Sequence, residues 1–238
     1  MKITNAGRFL GCMAAISFAV LASNANGSML VSDSFSYSDG NLVPNDPPIG
    51  GAWNAHSGAG SVAVQVSSGT IGLAQGSGSR EDVNVPFEGG FAAGAGSVLY
   101  SGFDLTVPDP GTTITSTYFA HFLQGTSNFT SRLWVTTPST IGYRLALSND
   151  SALDLDGEAY SGDLVFGTTY RVVTKYDFDN QNGEMWINPV DESSPSFAAT
   201  DPGFSDAVNA YAFRQAAGNT NQTIDNLYVS TTFQGALT

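Results

Sequence analysis

Apolar residues recur at every second position along most of this chain, in short runs separated by Gly, Asn, Asp, Pro and Ser. The alternation is clear in the segments 102–107, 143–147 and 170–176. A period of two is the spacing of a half-buried strand, and no stretch after residue 25 has the 3.6-residue spacing of an amphipathic helix. The sequence therefore predicts about a dozen short strands in an all-β fold, packed as an antiparallel sandwich or barrel.

The strands and turns can be placed along the chain. Asn182-Gly183 lies between two strand candidates and predicts a hairpin over 177–184, while the glycine-rich segment 50–60 is typical of a surface loop. No low-complexity linker divides the chain, which favours one domain. The candidate strands are 29–37, 62–66, 70–74, 102–107, 118–123, 131–137, 143–147, 170–176, 184–188, 209–215 and 223–233.

The N-terminus has the layout of a secretory signal peptide. Lys2 and Arg8 precede the apolar run 9–21, and Ser23-Asn24-Ala25 is a small-x-small cleavage site. We therefore expect a signal peptide over 1–25, a mature domain over 26–238, and a protein that is secreted or at the cell exterior. The apolar run is too short to span a bilayer as a helix, so no membrane span is expected in the mature chain.

Charge and cysteine content exclude several classes of function. Eight basic residues against 21 acidic ones give a net charge of −13, which excludes a nucleic-acid partner bound through clustered Lys and Arg. The same charge repels polyanions at long range. Cys12 is the only cysteine and falls in the predicted leader. The mature chain thus has neither a disulfide framework nor a cysteine-ligated metal.

Several segments together resemble an exported bacterial concanavalin A-like lectin/glucanase domain of the laminin-G-like jelly-roll type. They are VSDSFSYSDGNLV (31–43), SREDVNVPF (79–87), YFAHF (118–122) with SRLWV (131–135), the hairpin 170–189 and TIDNLYVSTTF (223–233). The resemblance implies two curved antiparallel sheets with the first and last strands adjacent. Relatives often end in a sorting anchor, which is not seen in 231–238, so we expect a released protein. Lectins, glycosidases, lyases and adhesion modules share this architecture, so it does not give the function.

The motifs of common hydrolases are missing from the sequence. The Glu-x-Asp-x-x-Glu pattern of the jelly-roll glucanases is absent, and Asp154, Asp156 and Glu158 are interpreted as acids on a solvated turn. Neither a Gly-x-Ser-x-Gly elbow nor a His-Glu-x-x-His pair occurs. The two histidines, His56 and His121, are far apart in the sequence. No catalytic residue is predicted.

A candidate carbohydrate site lies on three consecutive strand candidates. By the two-residue period His121 should share the face of Phe119, while Arg132 and Trp134 share a face of the next strand and Arg144 lies in the third. Sugars are held by aromatic faces together with a few placed polar groups. The alternative is that Trp134 is a core residue and that the arginines cover sheet edges or pair with acids.

These residues predict a secreted carbohydrate-binding, lectin-like module without catalysis, whose partner is an extracellular glycan or polysaccharide. Two alternatives stay open: a structural or adhesive extracellular protein without a small-ligand site, and a divergent glycosidase or polysaccharide lyase. Trp53 and Trp186 are interpreted as packing residues, because a sandwich core needs large side chains.

Calcium is the candidate cofactor. Asp177, Asp179 and Asn182 offer the oxygen ligands that calcium prefers, next to a glycine that can turn the backbone. The spacing does not match the helix-loop-helix calcium motif, and an ordinary hairpin explains the same residues.

Overall fold

The computed structural model describes residues 27–94, 96–150, 153, 157–203 and 207–238. The predicted signal peptide, 1–25, lies outside these residues, as do Asp154 and Asp156, so both interpretations stay predictions. Within the described part of the chain, no helix is long and apolar enough to cross a membrane.

The described residues form strands almost throughout, with one short helix close to residue 238. The strands are β1 (Met29–Asp33), β2 (Gly40–Asn41), β3 (Asn54–Ser57), β4 (Gln65–Ser67), β5 (Thr70–Leu73), β6 (Asp82–Phe91), β7 (Val98–Thr106), β8 (Thr117–Gln124), β9 (Asn128–Thr136), β10 (Arg144–Ser148), β11 (Ala159–Tyr160), β12 (Thr169–Asp177), β13 (Asn182–Ile187), β14 (Ser196–Ala198), β15 (Val208–Phe213) and β16 (Gln222–Ser230), and the helix is α1 (Phe233–Leu237).

Two antiparallel sheets face each other, which confirms the predicted all-β sandwich. Sheet A has the order β14-β13-β12-β7-β16-β5-β4-β2, with β1 also paired to β16. Sheet B has the order β11-β10-β9-β8-β15-β6-β3. Met29 pairs with Ser230, so the first and last strands are adjacent as expected. Because β7, β5 and β1 all pair with β16, this strand holds sheet A together.

The core between the sheets is built from the inward positions of the alternating strands. Phe103 of sheet A lies edge-on to Phe213 and Phe119 of sheet B, with ring centroids 5.8 and 6.2 Å apart, and all three are fully buried. Edge-on aromatic pairs of this kind add stability beyond their buried area. The period-two pattern thus corresponds to one buried and one outward face for each sheet.

The predicted loop over 50–60 is wrong, because this segment contains β3 and a buried tryptophan. Trp53 is fully buried and stacks on Phe213 with centroids 5.9 Å apart, which confirms its packing role. Its indole N–H donates to the Asp33 carboxylate over 2.7 Å, so the polar atom of the ring is satisfied in the core. The strand that follows has only four residues and lacks an alternating apolar pattern.

Helix α1 covers part of the outward face of sheet A, where the sequence predicted a strand up to residue 233. The strand ends at Ser230, and Thr232 caps the helix by accepting a hydrogen bond from the Gly235 N–H. Phe233 packs edge-on against Trp186, with centroids 5.1 Å apart. Trp186 is buried by this second apolar layer, so its packing role is confirmed.

We expect Gly102→Ala to destabilise the protein, because a Cβ on Gly102 would overlap the backbone carbonyl of Ala236 in α1. Overpacking of this kind costs about 1–3 kcal/mol of the free energy of unfolding, measured by urea denaturation. Gly72→Ala is the matched control, since Gly72 also lies within a strand of sheet A and a Cβ there has open space around it. Equal stability of the two variants would contradict the close approach of α1 to β7.

Candidate functional site

The outer face of sheet B, the face turned away from the core, carries the predicted carbohydrate-site residues. Strands β8, β9 and β10 are neighbours in the sheet, as the prediction required. Ala146 pairs with Trp134 and Ser148 with Arg132, and residues paired across antiparallel strands project from the same face. Arg144 lies two residues before Ala146 on β10 and so shares this face. The alternating residues that point into the core are Leu133, Val135, Leu145 and Leu147.

A bulge decides which face His121 occupies. Between Tyr118 and Ala120 the pairing advances two residues on β8 but one on β9, so the side-chain alternation shifts by one position. Phe119 therefore packs in the core, and His121 lies on the outer face beside Tyr118, with ring centroids 5.6 Å apart. The prediction that His121 shares the face of Phe119 is wrong for this reason. A second irregularity follows in β9, where Ser131 has a φ of 54°.

Aromatic rings gather around Tyr118 on this face. The Trp134 ring lies 5.0 Å from the Tyr118 ring, and the Phe129 ring lies 4.5 Å from that of His121, both edge-on. The Trp134 N–H donates to the Ser148 hydroxyl over 3.0 Å, which fixes the orientation of the indole. Tyr118, Phe129 and Trp134 are half-buried, so they present part of their surface to solvent.

Two guanidinium groups lie over the same tyrosine ring. That of Arg214 is 4.2 Å and that of Arg132 is 5.5 Å from the Tyr118 centroid, within the range of a cation–π interaction. Arg132 also pairs with Asp150 over 2.9 Å. We call this group of side chains the Tyr118 cluster, and its members are His56, Tyr118, His121, Phe129, Arg132, Trp134 and Arg214.

His56 joins the cluster although the sequence placed it in a loop. Strand β3 pairs with β6 at the end of sheet B, which brings the His56 ring centroid to 6.3 Å from that of His121. Burial and the nearby Arg214 charge lower the pKa of His56. Burial, followed by the charges of His56, Arg132 and Arg214, holds the pKa of His121 well below its usual value. Both imidazoles are therefore neutral near pH 7.

His121 is the fully buried member of the cluster and lies beneath its exposed rings. Neither of its ring nitrogens has a hydrogen-bond partner among the described residues. A buried polar group without a partner costs roughly 1–3 kcal/mol. His121 packs under the rings of Tyr118 and Phe129, so it supports the exposed aromatic surface from below.

Arg144 is set apart from the cluster, although it shares the outer face of sheet B. Its guanidinium lies 4.9 Å from the Tyr160 ring of the edge strand β11, and its Nε donates to the Thr137 carbonyl over 3.0 Å. The structure thus brings His121, Arg132 and Trp134 together and leaves Arg144 nearer the sheet edge. Sequence reasoning missed four members of the cluster: His56, Tyr118, Phe129 and Arg214.

The calcium candidates lie on the predicted hairpin, which joins β12 to β13. The Asp177 carboxylate accepts hydrogen bonds from the backbone N–H groups of Asp179 and Asn180, both over 3.0 Å. The Asp179 carboxylate accepts from those of Gly94 and Gly96. Asn182 begins β13, opposite Asp177. These bonds are those of a tight turn and a neighbouring loop.

Asp179 and Asn182 also line a polar cavity of about 390 Å³, whereas Asp177 does not line it. Among the described residues, no group of three or more His, Cys, Asp or Glu side chains has a metal-binding arrangement. Calcium binding at Asp177, Asp179 and Asn182 stays a prediction. It is tested by comparing the melting temperature of the protein in calcium with that in a chelator, since a bound ion should raise it.

Comparison with known proteins confirms the concanavalin A-like fold. No family model matches the sequence, and no curated protein matches it. A solved sialidase is 16% identical with a TM-score of 0.55, over 87% of this chain and 19% of that one. The binding domain of botulinum neurotoxin serotype C1 is 9% identical with a TM-score of 0.54, over 87% of this chain and 49% of that one. The Emp47p carbohydrate recognition domain is 12% identical with a TM-score of 0.48, over 85% and 97% of the two chains.

The chain spans about a fifth of the sialidase and about half of the toxin domain. At these identities the likeness concerns the fold, and the candidate site rests on its own geometry.

We expect the stability of the protein to fall as the pH drops below about 6.5, where the imidazole of His121 titrates in the unfolded chain. The pKa of His121 is lowered in the folded state, so the unfolded state takes up the proton first. The resulting loss is about 1.4 kcal/mol per pH unit until the folded group also titrates.

Urea denaturation between pH 7.5 and pH 5 measures this loss in the wild type, in His121→Gln and in His56→Gln. The pH dependence should weaken in both variants and more strongly in His121→Gln, because the His121 pKa is lowered further. An unchanged pH dependence in His121→Gln would contradict the buried, neutral imidazole.

Proposed function

We propose that the outer face of sheet B binds an extracellular glycan at the Tyr118 cluster, as a secreted, lectin-like module without catalysis. The observation that carries this proposal is the pair of half-buried rings, Tyr118 and Trp134, flanked by the Arg132 guanidinium. Aromatic faces pack against the C–H patches of a sugar, and arginine donates hydrogen bonds to its hydroxyl groups.

The side chains at this face are held in place before any ligand arrives. The Ser148 hydroxyl orients the Trp134 indole, and Asp150 fixes the Arg132 guanidinium. Ordering of side chains costs free energy on binding, so a surface that is already ordered binds more tightly. We assign His121 a positioning role, since it is buried beneath the rings and exposes no surface of its own.

We expect the double variant Trp134→Ala, Arg132→Ala to lose about tenfold or more in glycan affinity, equivalent to about 1.4 kcal/mol. Trp134→Phe keeps an aromatic face and should retain more of the affinity than Trp134→Ala. The measurement is binding of the purified protein to a panel of polysaccharides, with and without calcium. Val190→Ala is the distant control, because Val190 is highly exposed and lies outside the strands.

Undiminished binding by the double variant would rule out this face as the site. Absence of binding to every glycan in the panel would rule out the proposed function and favour a structural or adhesive role.

Glycan cleavage is a second candidate, favoured by titratable groups with shifted pKa values on the same face. Burial lowers the pKa of His56 and raises the pKa of Tyr118 and of Asp82, whose carboxylate accepts the Gln215 N–H over 2.8 Å. Shifted pKa values are common among general acids and bases. The rings of His56 and Tyr118 both neighbour that of His121, and a neutral imidazole can act as a base while a protonated phenol acts as an acid.

Turnover is expected to appear as new reducing ends, or as the ultraviolet absorbance of an unsaturated sugar, when the protein is incubated with the same panel. His56→Gln should then abolish turnover and leave binding within about threefold, because a general base acts on the transition state. Binding without either product would rule out this second candidate.

A further inference from the structure

We propose that the group recognised at the Tyr118 cluster is the carboxylate of an acidic sugar, and that Arg214 binds it. This inference rests on the proposed function, because it names the class of glycan that the same face takes. Arg214 directly follows β15, and its guanidinium lies 4.2 Å from the Tyr118 ring centroid.

Arg214 differs from the other described arginines in how its side chain is held. Its guanidinium stacks on Tyr118, but within the described residues it has neither an ion pair nor a hydrogen-bond acceptor. Every other described arginine has such partners: Arg80 the Ala74 and Gly76 carbonyls, Arg132 the Asp150 carboxylate, Arg144 the Thr137 carbonyl, and Arg171 the Asp104 carboxylate and the Asn226 and Ala236 carbonyls.

A guanidinium without acceptors is unexpected in this chain, where acidic residues outnumber basic ones by 21 to eight. The Arg214 charge acts on the nearby Asp82 carboxylate, but that carboxylate accepts a hydrogen bond from the Gln215 N–H and forms none with Arg214. Five N–H donors in a rigid fork match the two oxygens of a carboxylate, which makes the bidentate pair one of the stronger polar contacts in water.

The surroundings of Arg214 favour an anion. Arg132 lies over the same ring at 5.5 Å, so two guanidinium groups flank Tyr118. Asp150 pairs with Arg132, while Asp82 interacts with Arg214 only beyond ion-pair distance, which leaves the N–H groups of Arg214 for a ligand. An acidic sugar combines what the cluster offers, since its carboxylate can pair with Arg214 while its C–H face packs on Trp134 or Tyr118. This local charge offsets the long-range repulsion that the negative net charge exerts on polyanions.

The decisive probes are matched pairs of glycans that differ in the carboxylate alone. One pair is polygalacturonate and its carboxyl-reduced form, and the other is sialyllactose and its carboxyl-reduced form. The first pair presents the carboxylate along a polymer and the second presents it at a terminal sugar. The two pairs therefore distinguish recognition of an acidic polymer from recognition of an acidic terminal sugar. We expect at least one acidic member to bind tenfold or more tightly than its neutral counterpart.

Arg214→Gln should remove this preference, and Arg214→Lys should restore part of it, because a lysine keeps the charge but not the fork. Lys175→Gln is the control for the change in net charge, since Lys175 lies on β12 of sheet A and pairs with Glu184 and Glu192. The Lys175→Gln variant should prefer the acidic glycan as strongly as the wild type does.

Equal affinity for the acidic and neutral members of both pairs would overturn the inference and leave the proposed function standing. Absence of binding to all four probes and to the wider panel would overturn both. Should Arg214→Gln fail to fold, the wild-type comparison of the matched pairs still tests carboxylate recognition, and an undiminished preference in Arg214→Lys would overturn the role of Arg214. A preference that survives in a folded Arg214→Gln would show that the carboxylate is bound elsewhere.

Discussion

The extra residue of β8 at Phe119 is the feature on which the outer face of sheet B depends. Without it, strict alternation would turn Phe119 and His121 to the same side of the sheet. Either the histidine would then point into the apolar core, or the phenylalanine would point away from it. With it, β8 sends Phe119 and Ala120 into the core and presents Tyr118 and His121 together on the other side. The ring of Tyr118 then becomes the point at which side chains from several strands meet.

The large side chains on the outward faces of the two sheets are covered in different ways. Sheet A buries Trp186 under helix α1, which Arg171 holds by donating to the Ala236 carbonyl over 2.6 Å. Sheet B has no helix over it among the described residues, and its aromatic side chains pack against one another instead. An antiparallel sheet can leave one face to solvent, and here that face is rich in rings and guanidinium groups. The contrast explains why the candidate site lies on sheet B.

Much of this architecture could be predicted from local patterns, but the completed site could not. Alternation indicated that Arg132 and Trp134 share a face, and chain order suggested that their strands are neighbours, because strands close in sequence often pair. His56 and Arg214 were missed since they reach the cluster through the pairing of β3 with β6 and of β15 with β8. The pairing of strands so far apart in the sequence cannot be recognised from the residues next to either strand. The bulge was missed for a related reason, since it is a property of two paired strands.

The central place of β16 in sheet A bears on the order in which the fold can form. Strands β7, β5 and β1 all pair with it, and it follows every other described strand in the sequence. While the ribosome is still adding these residues, the strands that flank β16 have no common partner, and sheet A stays in separate pieces. Contacts that join distant parts of a chain form late and slowly. Sheet A is therefore completed only once β16 has been synthesised, whereas the strands of sheet B pair with one another without it.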